Sequence, residues 1–166
     1  MADSTNEPVK VVFVCWGNIC RSPMAERIAA TWAQRDGVDG VEFTSAATST
    51  EELGNPIDRR AARELREHGY DADNHSAHQI DAAEIDDADL VIAMEDIHIA
   101  KMRAMSDRDD VALLSDFDPD AEPGEGVPDP WYGGPEGFTT TREMIERAMP
   151  GVLERVRELQ GATRRG

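Results

Sequence analysis

Val9-Lys10-Val11-Val12-Phe13-Val14-Cys15-Trp16-Gly17-Asn18-Ile19-Cys20-Arg21-Ser22-Pro23 is the stretch whose reading decides the fold. Its apolar run, Val9 to Val14, has the pattern of a buried strand. Met24, Ile28 and Trp32 follow at helical spacing. A helix is therefore expected from about Pro23 to Arg35, with Ser22 as its N-cap and Pro23 in its first position. A strand, a tight loop and a helix N-terminus make an anion cradle, because loop N–H groups converge and the helix adds unpaired donors.

Two side chains make that cradle reactive. Cys15 ends the strand, and Arg21 closes the loop six residues later. A guanidinium grips two oxygens of a phosphoryl group at once. The same positive field favours a thiolate over a thiol, and a thiolate beneath a bound phosphoryl group is poised for in-line attack.

Outward from this loop, the chain alternates strands and helices. Strands are expected near Val41 to Ala46, Asp89 to Met94 and Val111 to Leu114. Helices are expected near Ile57 to His68, Asp81 to Asp87, Ile97 to Met105 and Thr139 to Leu159. This order predicts an α/β fold, a parallel sheet covered on both faces with the loop at the C-terminal end of strand 1. Pro150-Gly151 predicts a kink or break in the last helix. Residues 9–160 read as one domain, preceded by a disordered polar extension (1–8) and followed by a frayed tail (161–166).

Composition narrows the function. The net charge is −17, from 17 Lys+Arg against 34 Asp+Glu, which argues for a solvated acidic surface and against nucleic acid as a partner. No long apolar segment is present, so no membrane partner is expected. The polar start gives no secretory signal, and a cytoplasmic location follows. Cys15 and Cys20 are the only cysteines, too few for a disulfide scaffold or a zinc site. By itself Cys20 is either a small buried hydrophobe or a redox partner. The chemistry needs no metal or cofactor.

The run from Cys15 to Pro23, with Cys, Gly, Asn, Cys, Arg, Ser and Pro in register, resembles the signature loop of the low-molecular-weight protein tyrosine phosphatases. That resemblance implies a three-layer sandwich around a four-stranded parallel sheet. It also implies hydrolysis of phosphotyrosine monoesters in a protein or peptide through a phosphocysteine intermediate, releasing inorganic phosphate. The chain is expected to act as a monomer.

Phenolate departure needs a proton. Between Ser115 and Gly137 the carboxyls Asp116, Asp118, Asp120, Glu122, Glu125 and Asp129 all compete for that role. Asp129-Pro130-Trp131-Tyr132-Gly133 resembles the family's acid loop and selects Asp129. Catalysis is thus expected from Cys15, Arg21 and Asp129. Trp16, Gly17, Asn18, Ile19, Cys20 and Ser22 would form the phosphate loop. The resemblance further implies a network of Asn18 with Ser45 and His75, a Cys15–Cys20 disulfide as a reversible shield, and a thiolate-stabilising bond from Ser22. Trp131 and Tyr132 would wall the pocket, with Trp16 stacking at its rim. Where the family often carries a tryptophan, Glu51-Glu52 stand here, making that wall acidic. His68, His78 and His98 receive no role. Two other readings compete: an arsenate reductase on the same fold, which needs a thiol relay, and a phosphopeptide-binding module or phosphocarrier.

Overall fold

A computed structural model of the chain describes residues 7–165; the side chains of Tyr132 and of residues 163–165 are outside it, as are residues 1–6 of the expected extension. The elements are β1 (Val9–Cys15), α1 (Arg21–Arg35), β2 (Val41–Ala47), α2 (Arg59–Glu67), α3 (Ala82–Asp87), β3 (Leu90–Ala93), α4 (Asp96–Arg103), β4 (Ala112–Leu113) and α5 (Pro135–Arg165). Short 3-10 turns occupy Leu114–Phe117 and Pro130–Tyr132. The four strands form one parallel sheet in the order β2-β1-β3-β4.

Alternation along β1 splits the core in two. Val9, Val11, Phe13 and Cys15 face one layer, where they join residues of α1, α2 and α5. Val12 and Val14 face the other, with Ile85 of α3 and Met102 of α4. Each fully buried side chain of this kind stabilises the fold by about 1.5–3 kcal/mol. Burial on both faces explains why the strand is apolar from Val11 to Cys15, with only Lys10 near its start exposed.

The strand order also locates the site. From β1 the chain moves to β2 on one side and later crosses to β3 on the other. The loops after β1 and β3 therefore diverge, leaving a crevice at the carboxyl ends of the two strands. Cys15 stands at the end of β1, and Glu95 follows β3. No helix among the described residues is long and apolar enough to cross a membrane.

Three local expectations are corrected. Helix α1 starts at Arg21 with Cys20 at its N-cap position and no side-chain cap bond. Ser22 lies inside the first turn because its hydroxyl is engaged by the Cys15 sulfur and Asn18 instead. Helix α5 runs unbroken through Pro150. Ile145, Ala148 and Met149 before the proline and Val152, Leu153 and Val156 after it are buried in the same core, so packing outweighs the lost backbone bond. Gly151 has its own reason: a Cβ there would lie 2.5 Å from the Phe117 carbonyl oxygen, so the helix needs glycine to approach that turn. Finally, the helix passes Gly161 and reaches Arg165. Gln160 secures that end, its amide donating to the Asp39 carbonyl at 2.6 Å.

Gly151→Ala should therefore lower stability by about 1–3 kcal/mol through overpacking. Gly161→Ala, where a Cβ meets nothing within 4 Å, should gain up to about 1 kcal/mol from helix propensity. Urea midpoints check the pair; equal shifts would remove the close-approach argument.

Candidate active site

The loop after β1 turns back on itself at Asn18, whose φ of 61° is left-handed. Asparagine tolerates that conformation better than most residues. Its side chain is then fully used. Nδ2 donates to Ser22 Oγ at 2.9 Å and to Ser45 Oγ at 3.0 Å, while Oδ1 accepts from the His78 backbone N–H at 3.2 Å. His75 Nε2 donates to the Asn18 carbonyl at 2.7 Å. Burial lowers the pKa of His75, consistent with a neutral ring. Ser45 Oγ in turn donates a hydrogen bond to Glu26 Oε1 at 2.6 Å.

The direction of these bonds matters at the sulfur. The Asn18 backbone N–H donates to Cys15 Sγ at 3.3 Å. Ser22 Oγ lies 3.0 Å from the same atom. Ser22 Oγ accepts from Asn18, and of the two acceptors its own hydrogen can reach, the Cys15 sulfur at 3.0 Å lies closer than the Ala46 carbonyl at 3.5 Å. The Asn18 N–H and the Ser22 hydroxyl thus converge on one sulfur.

Arg21 is almost fully buried, and its Nη1 donates to Glu95 Oε1 at 2.5 Å and to the Val127 carbonyl at 2.8 Å. Its Nη2 lies 3.8 Å from Asp129 Oδ2. One guanidinium thus ties the loop after β1 to both the end of β3 and the Asp129 segment. That segment leans directly on β3: the Val127 N–H donates to the Met94 carbonyl at 2.7 Å. A Cβ on Gly126 would sit 2.9 Å from that same oxygen, and its φ of +73° also suits glycine.

Asp129 caps the turn Pro130–Tyr132, with Oδ1 accepting from the Trp131 N–H at 3.0 Å. Arg60 of α2 holds that turn from the outside. Its guanidinium carbon lies 4.9 Å from the Trp131 ring centroid and 4.7 Å from that of Phe138. It also donates to the Trp131 carbonyl at 3.2 Å.

These parts enclose one cleft of about 270 Å³. Cys15, Trp16, Gly17, Ile19, Cys20, Arg21, Asp129 and Trp131 line it, joined by Glu51 and Glu52. Asn18, Ser22, Ser45 and His75 stand behind the loop and support it through the bonds above. The Tyr132 side chain, expected in the pocket wall, lies outside the described residues. Lys101 Nζ sits 5.2 Å from the Trp16 ring centroid. Cys20 is a buried free thiol. Desolvation first, then the charge of Asp58, pushes its pKa up, which opposes a role as nucleophile.

Glu95 and His98 carry no role in the sequence reading. His98 is buried, and its Nδ1 accepts from the Glu95 N–H at 3.1 Å. The Glu95 side chain accepts in turn from the His98 backbone, a reciprocal cap on α4. Glu95 is thereby fixed for Arg21. Burial, then the Arg21 charge, brings the His98 pKa down to about 3.

Comparison with known proteins agrees with this geometry. A model of the family described as low molecular weight phosphotyrosine protein phosphatase matches residues 10–161. A low molecular weight protein-tyrosine-phosphatase of Streptomyces coelicolor is 41% identical over 155 residues, covering 90% of this chain and 94% of that one. Low molecular weight protein-tyrosine phosphatase A of Mycobacterium tuberculosis is 39% identical, covering 92% and 94%. The crystal structure of YfkJ from Bacillus subtilis superposes with a TM-score of 0.84 at 31% identity, over 92% of this chain and 96% of that one. Because the likeness extends through the sheet and the helices that place the cleft, and not only through a cysteine and an arginine, this chain belongs to the low molecular weight phosphotyrosine protein phosphatase family.

Proposed function

We propose that the chain hydrolyses phosphotyrosine in proteins or peptides, with Cys15, Arg21 and Asp129 as the reacting and charge-stabilising groups. The observation that carries the reading is the sulfur of Cys15 with two donors directed at it, in a cleft shared with Arg21 and Asp129.

The chemistry has two steps. The Cys15 thiolate attacks phosphorus, the bond to the phenolic oxygen breaks, and protonated Asp129 gives its proton to that oxygen. A phosphocysteine and a free phenol result. The Asp129 carboxylate then takes a proton from water as the water oxygen attacks phosphorus. The S–P bond breaks and inorganic phosphate leaves. Arg21 and the loop N–H groups stabilise the equatorial oxygens in both steps, while the Ser22 bond to sulfur eases its departure in the second.

Cys15→Ser should reduce turnover of p-nitrophenyl phosphate by at least about a thousandfold. Asp129→Asn should cost about 10²–10⁴-fold for phosphotyrosine and clearly less for p-nitrophenyl phosphate, whose phenolate departs without help. Equal losses on the two substrates would remove Asp129 from the proton-donor role.

Trp16 supplies an aromatic rim for the substrate ring. Trp16→Ala should lower the preference for aryl over alkyl phosphates by about two- to tenfold, given the ~0.5–1.5 kcal/mol of an aromatic pair. Matched kcat/KM values test this, and an unchanged preference defeats it.

Glu95 and His98 act as positioning residues for Arg21, and His98 adds an acid-sensitive term to stability. Its folded pKa of about 3 lies below the ordinary 6.5, so the unfolded chain binds the extra proton. The stability is full above pH 6.5 and is lost progressively as pH falls toward 3. At pH 5 the loss is about 2 kcal/mol. His98→Asn, which retains an acceptor for the Glu95 N–H, should lose less stability than wild type between pH 7 and pH 5. Identical losses in urea titrations would contradict the assignment.

A further inference from the structure

Resting on the phosphotyrosine reading, we propose that Glu51 and Glu52 make this cleft select phosphotyrosine sites flanked by lysine or arginine. Both side chains line the cleft together with Cys15 and Asp129. The segment that carries them is bound to the phosphate loop by backbone. The Thr48 N–H donates to the Cys15 carbonyl at 2.9 Å and the Ser49 N–H to the Trp16 carbonyl at 3.0 Å. At its far end, the Asp58 N–H donates to the Ile19 carbonyl at 2.9 Å. Glu52 packs directly on the loop, since a Cβ on Gly17 would meet its Cγ at 3.2 Å. Its Oε1 is steadied by the Asn55 amide at 2.7 Å. These carboxylates therefore belong to a fixed wall.

The wall is uncompensated. Arg21 is paired with Glu95. Arg60 is paired with Asp58 and stacked on Trp131 and Phe138. Lys101 sits over the Trp16 ring. Among the described residues no cation forms an ion pair with Glu51, which is exposed. Next along the wall, Leu53 is 53% exposed, and Trp131 across the cleft is 40% exposed. An apolar side chain beside a free carboxylate suits an amphipathic cation: the stem of lysine or arginine covers Leu53 while its head reaches Glu51. An acidic flanking residue meets repulsion at the same place.

The test uses three phosphotyrosyl peptides differing only in flanking residues: lysine, alanine or glutamate. Two rim charges at this range should give wild type about a tenfold higher kcat/KM for the lysine peptide than for the glutamate peptide in roughly 0.02 M salt. The ratio should shrink to about twofold near 0.5 M. E51Q/E52Q should bring the ratio to about twofold or less at both salt concentrations. Glu51→Lys should invert it. D107N/D109N removes the same two charges from the exposed loop before β4, at the other end of the sheet, and should keep the wild-type ratio.

A wild-type ratio near unity at low salt would overturn the inference. So would a ratio that survives in E51Q/E52Q, or one that falls as far in D107N/D109N. Wild-type hydrolysis of p-nitrophenyl phosphate separates the two levels. Activity without discrimination removes only the flanking preference, whereas inactivity on every substrate removes the phosphatase reading as well.

Discussion

The whole site depends on holding hydrogen-bond donors against a sulfur at the end of a buried strand, and Asn18 is the residue that meets this constraint. Its left-handed backbone brings its own N–H to Cys15, and its amide donates to the Ser22 hydroxyl that stands beside the same sulfur. Every polar group of that amide is bonded: to β2 through Ser45, to the His75–His78 loop through His78, and to α1 through Ser22. A fully satisfied buried amide has one orientation, because any flip would leave donors facing donors. The phosphate loop is therefore rigid before substrate arrives, which is what electrostatic stabilisation of a transition state requires.

Asp129 is placed by a different principle. It comes from a segment with no regular core of its own, yet it is anchored at three points. Val127 joins the end of β3, Arg21 donates to the Val127 carbonyl, and Arg60 clasps Trp131 from α2. The sheet's strand order explains why these anchors exist: the divergence after β1 and β3 puts Arg21 and Glu95 on facing sides of one crevice. The fold thus delivers the thiol and the carboxyl from positions more than a hundred residues apart.

The strands, the parallel sheet and the loop from Cys15 to Ser22 were legible in the sequence because each has a local signal: period, length, or turn chemistry. Ser22 shows where local reading fails. Ser-Pro before an apolar helix fits an N-cap, but the hydroxyl had a stronger claim from a sulfur seven positions earlier, and the helix started two residues sooner. Glu95 and His98 gave no signal because their partner is 74 positions away from Glu95 and their neighbours look like any helix start. Pro150-Gly151 read as a break; the apolar face on both sides, and the backbone of Phe117 against Gly151, held the helix together. In each case tertiary contact overruled a correct local preference.

The charge of the molecule then makes sense as two separate scales. A chain of net charge −17 repels a dianionic phosphoryl group at long range, but screening confines that repulsion to about 8 Å at physiological ionic strength. In the proposed reaction the loop N–H groups and Arg21 would meet the phosphoryl group at close range, where each is worth far more than a remote charge. Binding the phosphoryl group is therefore a property of the loop alone. The proposed role of the acidic rim concerns what surrounds that group in the substrate, so Glu51 and Glu52 can bias selectivity from the same cleft without touching the phosphoryl group.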